Sequence, residues 1–133
     1  MQAKKIAWYE VDKVGIAHED ERRSITAPFN GNFIAQQIKI LSIKQDSILG
    51  NHYHHYRELF YIVKGRAIFY LENVVDGERA IIKLESGDRL ILDAKVAHKV
   101  KMTKDTFTVE ATEWPYTSPE RNDVRHEIVW TNI

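Results

Sequence analysis

Short runs of β-branched and aromatic residues, each stopped by a turn rich in glycine or asparagine, constrain this chain more tightly than its other features. The runs are Phe33–Lys44 (FIAQQIKILSIK), Leu59–Val63 (LFYIV), Arg66–Glu72 (RAIFYLE), Ala80–Leu84 (AIIKL), Arg89–Leu92 (RLIL) and Phe107–Thr112 (FTVEAT). The breaks are Asn30-Gly31-Asn32, Lys64-Gly65, Asp76-Gly77 and Ser86-Gly87-Asp88. Strands of this length and spacing predict an all-β sandwich or barrel. With 133 residues, 44% of them hydrophobic, the chain can enclose one core and has no room for two. No linker, repeat or low-complexity tract divides it, and only Thr117–Glu127 is polar enough to be a turn or short helix.

Histidines are concentrated in one of these segments. Gly50-Asn51-His52-Tyr53-His54-His55-Tyr56-Arg57-Glu58 is closed by Gly65, and a second glycine-led segment, Gly87-Asp88-Arg89-Leu90-Ile91-Leu92, leads to His98. Successive side chains on a strand alternate faces, so His52 and His54 point one way and His55 the other. Glu58 shares their parity from the same or the next strand, and His98 can arrive from a distant strand. Three imidazoles and a carboxylate suit Fe(II), Mn(II), Ni(II) or Zn(II), with positions left open for substrate or water. These four residues are therefore the candidate metal ligands, and His52, His54 and Glu58 the candidate catalytic residues.

His52-x-His54-x-x-x-Glu58 followed by six residues and Gly65 resembles the first cupin motif, and Gly87 through His98 resembles the second. The resemblance covers roughly Phe33 to Glu113 and implies a jelly-roll β-barrel, expected as a single domain over residues 1–133. Its core motifs span about 46–102, and the N-terminal strand 5–11 and the tail 114–133 are peripheral. It also implies the same ligand roles for His52, His54, Glu58 and His98. The chain departs from the pattern at Asp46, where the first motif opens with glycine, and at Asp93, Lys95 and Met102, where the second carries Pro, Gly and Asn. Gly50 through His55, with Glu58, Phe60 and Val63-Lys64-Gly65, is similar to the cupin domain of capsular-polysaccharide enzymes acting on nucleotide-linked 4-keto sugars. The 3,5-epimerases and 3,4-ketoisomerases of dTDP-sugars are more loosely similar.

Function is bounded from several sides. Nineteen basic and nineteen acidic residues cancel, which disfavours nucleic acid or an anionic membrane as partner. Cysteine is absent, removing disulfides and thiolate zinc sites, and the first residues lack the apolar run of a signal peptide, so a cytoplasmic location is expected. The expected activity is isomerisation or epimerisation of a small carbohydrate-like substrate. The alternatives are an Fe(II)-dependent dioxygenase and a binding module without turnover. Homodimerisation is expected, with the segment Lys5–Val11 adding to a partner's sheet. Lys39, Lys44, Arg57 and Arg66 are candidates for an anion site. His18 and His126 read as solvated, the run His18–Arg23 as an exposed loop, and Tyr53, Tyr56 and Tyr61 as barrel wall. Trp8, Trp114 and Trp130 read as packing a barrel end or an interface.

Overall fold

The computed structural model describes residues 4–6 and 8–131. Its strands are β1 (Lys4–Ile6), β2 (Tyr9–Lys13), β3 (Ile16–Glu19), β4 (Ser24–Thr26), β5 (Gln37–Ser42), β6 (Ser47–Tyr53) and β7 (Glu58–Lys64). They continue as β8 (Arg66–Asn73), β9 (Arg79–Glu85), β10 (Asp88–Leu92), β11 (Val96–Met102), β12 (Phe107–Thr112) and β13 (Val124–Arg125), with one helical turn, α1 (Pro119–Asn122). One antiparallel sheet has the order β1-β2-β10-β7-β12-β5 and the other β13-β6-β11-β8-β9, while β3 and β4 form a separate hairpin. The sheets face each other as a jelly-roll-like sandwich and do not close into the expected barrel. Among the described residues the β5 edge has no bonded partner across to the other sheet, and the two-residue β13 covers only the end of β6.

Period-2 alternation puts the core between the sheets. Phe60 and Ile62 of β7 and Leu90 and Leu92 of β10 pack against Ala67, Phe69 and Leu71 of β8 and Val96, Val100 and Met102 of β11. Trp8 joins this core, its Nε1 donating to Glu78 Oε2 at 2.8 Å just before β9 and its carbonyl accepting from the Asp93 amide just after β10, so it packs an end of its own chain's sandwich. The outer faces are also covered. Phe29, Phe33 and Ala35 lie with Leu59, Ile91 and Ala111, and for that reason the run expected as a strand from Phe33 pairs only from Gln37. Ile128 and Trp130 cover Tyr70 and Ala97 on the other sheet.

The segment 5–11 spans the β1–β2 hairpin, apart from residue 7, which lies outside the described residues. β1 pairs with β2, and β2 pairs with β10 of the same sheet, Val11 opposite Leu90. The run His18–Arg23 is the exposed end of the β3–β4 hairpin, where Asp20 Oδ1 accepts from the Arg22 and Arg23 amides. No helix among the described residues is long and apolar enough to cross a membrane.

Candidate functional site

The site begins with an irregularity in β6. Gly50 has φ 98° and Asn51 φ 63°, and the β6–β11 register shifts so that Lys99 faces Gly50 but His98 faces His52. Asn51 is the extra, bulged residue. Had the register continued regularly, Asn51 would stand opposite the inward-facing His98 and His52 would turn outward. A Cβ on Gly50 would lie 2.5 Å from the His98 carbonyl oxygen, so only glycine permits this approach. His54 follows the end of β6, and Glu58 opens β7, the next strand of the chain in the opposite sheet.

The four predicted residues meet here. The histidines each offer a ring nitrogen, and these atoms lie within 4.8 Å of one another. Glu58 Oε1 stands 3.2 Å from His54 Nε2 and 3.5 Å from His98 Nε2, yet it is buried with no well-directed hydrogen bond. The other sides of the rings are engaged. His54 Nδ1 donates to the Asn122 carbonyl at 2.8 Å, with Asp123 Oδ1 at 3.3 Å, and His98 Nδ1 donates to the Val96 carbonyl at 3.2 Å. Protons held on Nδ1 leave Nε2 lone pairs facing the orphaned carboxylate oxygen. This donor set fits a divalent ion, with carbonyls orienting two of its imidazoles.

Electrostatics divide the histidines. Burial pushes His98 down to about 4, beyond what the nearby Glu58 charge restores, so it is neutral at pH 7. Burial and the His54 charge lower His52 as well, against Asp123 and Glu58. Burial also opposes a charge on His54, but Glu58, the Asn122 carbonyl and Asp123 outweigh it and hold its pKa above the usual imidazole value. Burial alone would raise Glu58, but His54, His98 and Lys39 hold it below the ordinary carboxylate range.

Several participants carry no motif. Glu110 of β12 and Lys39 of β5 are directly paired on the inner face of the first sheet, with Lys39 Nζ 3.7 Å from Glu110 Oε1. Thr108 Oγ1 donates to Glu110 Oε2 at 3.4 Å. Burial and the Glu58 charge push the Glu110 carboxyl up to about 7. Tyr56, read as wall packing, stacks on His54 with centroids 4.9 Å apart and planes 11° from parallel. The C-terminal segment, read as peripheral, contributes Asn122 and Asp123 to the site. The inward parity of Thr108-x-Glu110-x-Thr112 was the available signal for the β12 residues; α1 offered none.

Other expectations divide. His55 is exposed, away from the set. His126 is half-buried, contrary to the solvated reading, because its Nε2 and Trp130 Nε1 share the Glu72 carboxylate at 3.1 and 2.7 Å. The four candidate anion-site cations do not gather. Lys39 alone stands by the site. Arg57 makes a two-point pair with Glu113, and Arg66 lines a groove of about 830 Å³ at the opposite end of the second sheet, with Asp46, Lys83, Glu85 and Lys101.

Residues 40–115, more than half of the chain, match a family model described as a cupin domain. No curated protein matches. Among solved structures, the chain resembles WlaRA, a TDP-fucose-3,4-ketoisomerase from Campylobacter jejuni, at 16% identity over 87% of both chains and a TM-score of 0.74. It resembles a dTDP-4-dehydrorhamnose 3,5-epimerase from Sulfolobus tokodaii at 14% identity, over 90% of this chain and 78% of that one, with a TM-score of 0.74. ChmJ, a 3'-monoepimerase from Streptomyces bikiniensis in complex with dTDP-quinovose, matches at 18% identity over 91% and 71%, TM-score 0.76. At these identities the likeness establishes the fold.

Proposed function

This chain belongs to the cupin family, and on that premise we propose that it is a metal-binding isomerase or epimerase of a carbohydrate-like keto substrate, with nucleotide-linked 4-keto sugars as the leading class. One observation carries the reading: three imidazoles converge with the unsatisfied Glu58 oxygen beside inward-facing groups that hydrogen-bond hydroxyls. Those groups are Gln37, Lys39, Thr108, Glu110 and Thr112 of β5 and β12. Apolar surroundings would favour dioxygen chemistry; amide, hydroxyl and ammonium groups favour a sugar. The fold shared with TDP-sugar ketoisomerases and epimerases supports the same class.

Isomerisation and epimerisation both begin by removing a proton α to a carbonyl. His52, His54, Glu58 and His98 would hold the ion, with Zn(II), Mn(II), Fe(II) or Ni(II) all suited to the donors. When bound, it supplies electrophilic stabilisation of the substrate oxygen that gains charge. Glu110 titrates near neutrality on the neighbouring strand and can accept the proton at working pH. If the set holds no ion, His52 or His54 is itself the base, with Asp123 on its Nδ1 side. We also propose a homodimer as the working unit, supported by the exposed isoleucines Ile34, Ile38 and Ile40 on and before the edge strand β5.

Elemental analysis of the purified protein should find about one divalent ion per chain, lost in His98→Ala and kept in His55→Ala. With a panel of nucleotide-linked keto sugars in D2O, deuterium should enter α to the carbonyl without O2 consumption, and Glu58→Gln should suppress it. Substrate-dependent oxygen uptake without exchange would replace this reading with a dioxygenase. Binding with neither signal would replace it with a binding module.

A further inference from the structure

Asn122 is joined to the site from two sides. Its carbonyl accepts from His54 Nδ1 at 2.8 Å. Its side chain is 3% exposed and fully engaged. Oδ1 accepts from the Thr117 amide at 2.8 Å, the Thr117 hydroxyl at 3.0 Å and the Ser118 amide at 3.1 Å. Nδ2 donates to Tyr56 Oη at 2.9 Å and to the Pro115 carbonyl at 3.1 Å. These bonds knot residues 115–122 into one shape and tie that shape to the ring stacked on His54. Beyond it the chain is fastened beside His52, because Asn51 accepts from the His126 amide through its carbonyl and from the Ile128 amide through Oδ1, each at 2.9 Å.

A carbonyl oxygen only accepts, so a neutral His54 in this arrangement carries its proton on Nδ1 and keeps the Nε2 lone pair toward Glu58. We infer that Asn122 is a positioning residue for this site: its buried side-chain knot holds the Asn122 carbonyl against His54 Nδ1 and thereby fixes the tautomer and ring orientation that turn Nε2 inward. An imidazole released from that contact keeps only the Asp123 carboxylate, 3.3 Å away, on its Nδ1 side and faces Glu58, 3.2 Å away, on its Nε2 side, so its proton divides between the two nitrogens, and Nε2–H cannot donate a lone pair to an ion. The consequence for ion affinity rests on the metal-binding reading above; the tautomer itself does not.

The test separates the two. In metal-free protein, at a pH where His54 is neutral, long-range 15N NMR should show the wild-type ring with its proton on Nδ1 and Asn122→Ala with a mixture. Zn(II) affinity should fall about 10–100-fold in that variant. Ile128→Ala loosens the same segment at its far end and should leave tautomer and affinity unchanged, an outcome a merely structural role would not give. Should Asn122→Ala fail to fold, Tyr56→Phe keeps the stacked ring, removes one of the knot's acceptors, and should shift both readouts in the same direction by less. A wild-type proton on Nε2 overturns the inference. So does an unchanged tautomer in Asn122→Ala, an equal loss in Ile128→Ala, or, where Tyr56→Phe is the usable variant, no shift in either readout. A wild-type protein that binds no Zn(II) would defeat the metal reading, while the tautomer comparison would still decide the role of Asn122.

Discussion

A carboxyl group enclosed beside another carboxylate keeps its proton longer than one in water, and Glu110 is placed this way next to Glu58. The folded chain holds its proton up to about pH 7, whereas the unfolded chain releases it near the ordinary carboxyl value of 4.5. Below pH 4.5 both states are protonated and folding bears no cost. Between 4.5 and 7 the unfolded state alone ionises, so stability is lost as pH rises, fully so above 7. Glu110→Gln removes that ionisation while keeping an acceptor for Thr108. Relative to wild type it should gain of order 3 kcal/mol between pH 4.5 and pH 8, read from urea midpoints. A gap that is constant with pH would show that Glu110 ionises as in water. Lys95 occupies the position where the resembled motif carries glycine, and its φ of 64° shows the backbone there still takes the glycine conformation. Its amide donates to the His54 carbonyl at 2.7 Å, tying that turn to the site.

The β6 bulge decides which way the first histidine points. Leu49 pairs with Val100 and so shares its side of the sheet, and three residues later His52 pairs with His98 on that same side, a spacing that an unbroken strand cannot produce. Gly50→Ala should therefore do two things. Its Cβ meets the His98 carbonyl oxygen at a positive φ, which costs about 1–3 kcal/mol. Relief of that clash moves β6 away from β11 and carries His52 off the set, so divalent-ion affinity should fall with stability. Gly77→Ala is the control, because its φ is 80° but no atom lies within 4 Å of the added Cβ. It should lose stability without losing affinity. Equal ion affinity in Gly50→Ala and wild type, measured by calorimetric titration, would show that the bulge does not place His52.

Packing of the two sheets leaves one edge in need of cover. Ile34, Ile38 and Ile40 are 75, 56 and 66% exposed on and before β5, which pairs on one side only. Apolar side chains along an open strand favour association. Light scattering at micromolar concentration should give twice the 15.5 kDa chain mass. The double variant Ile38→Lys/Ile40→Lys should halve it without changing the far-UV spectrum. A wild-type monomer would remove the homodimer from the proposed function.

Much of this molecule was legible as sequence because it depends on local periodicity. β7, β8, β9, β10 and β12 follow from β-branched runs between turns, and His52, His54, Glu58 and His98 from parity and spacing. What lies outside those rules was set by contacts distant along the chain. The bulge that turns His52 inward exists because Gly50 meets His98, forty-eight positions away. Glu110 becomes a near-neutral acid only once folding buries it between the sheets and sets β12 beside β7, near Glu58. The sandwich stays open because its edge strands find no partners in each other. Asn122 and Asp123 reach His54 from a polar tail whose composition announces only a turn. Alternation along a strand is imposed by bonds within the chain and is visible in a short window. A hydrogen-bond partner, a burial environment and an edge are properties of what the fold brings alongside, and those the tertiary structure alone decided.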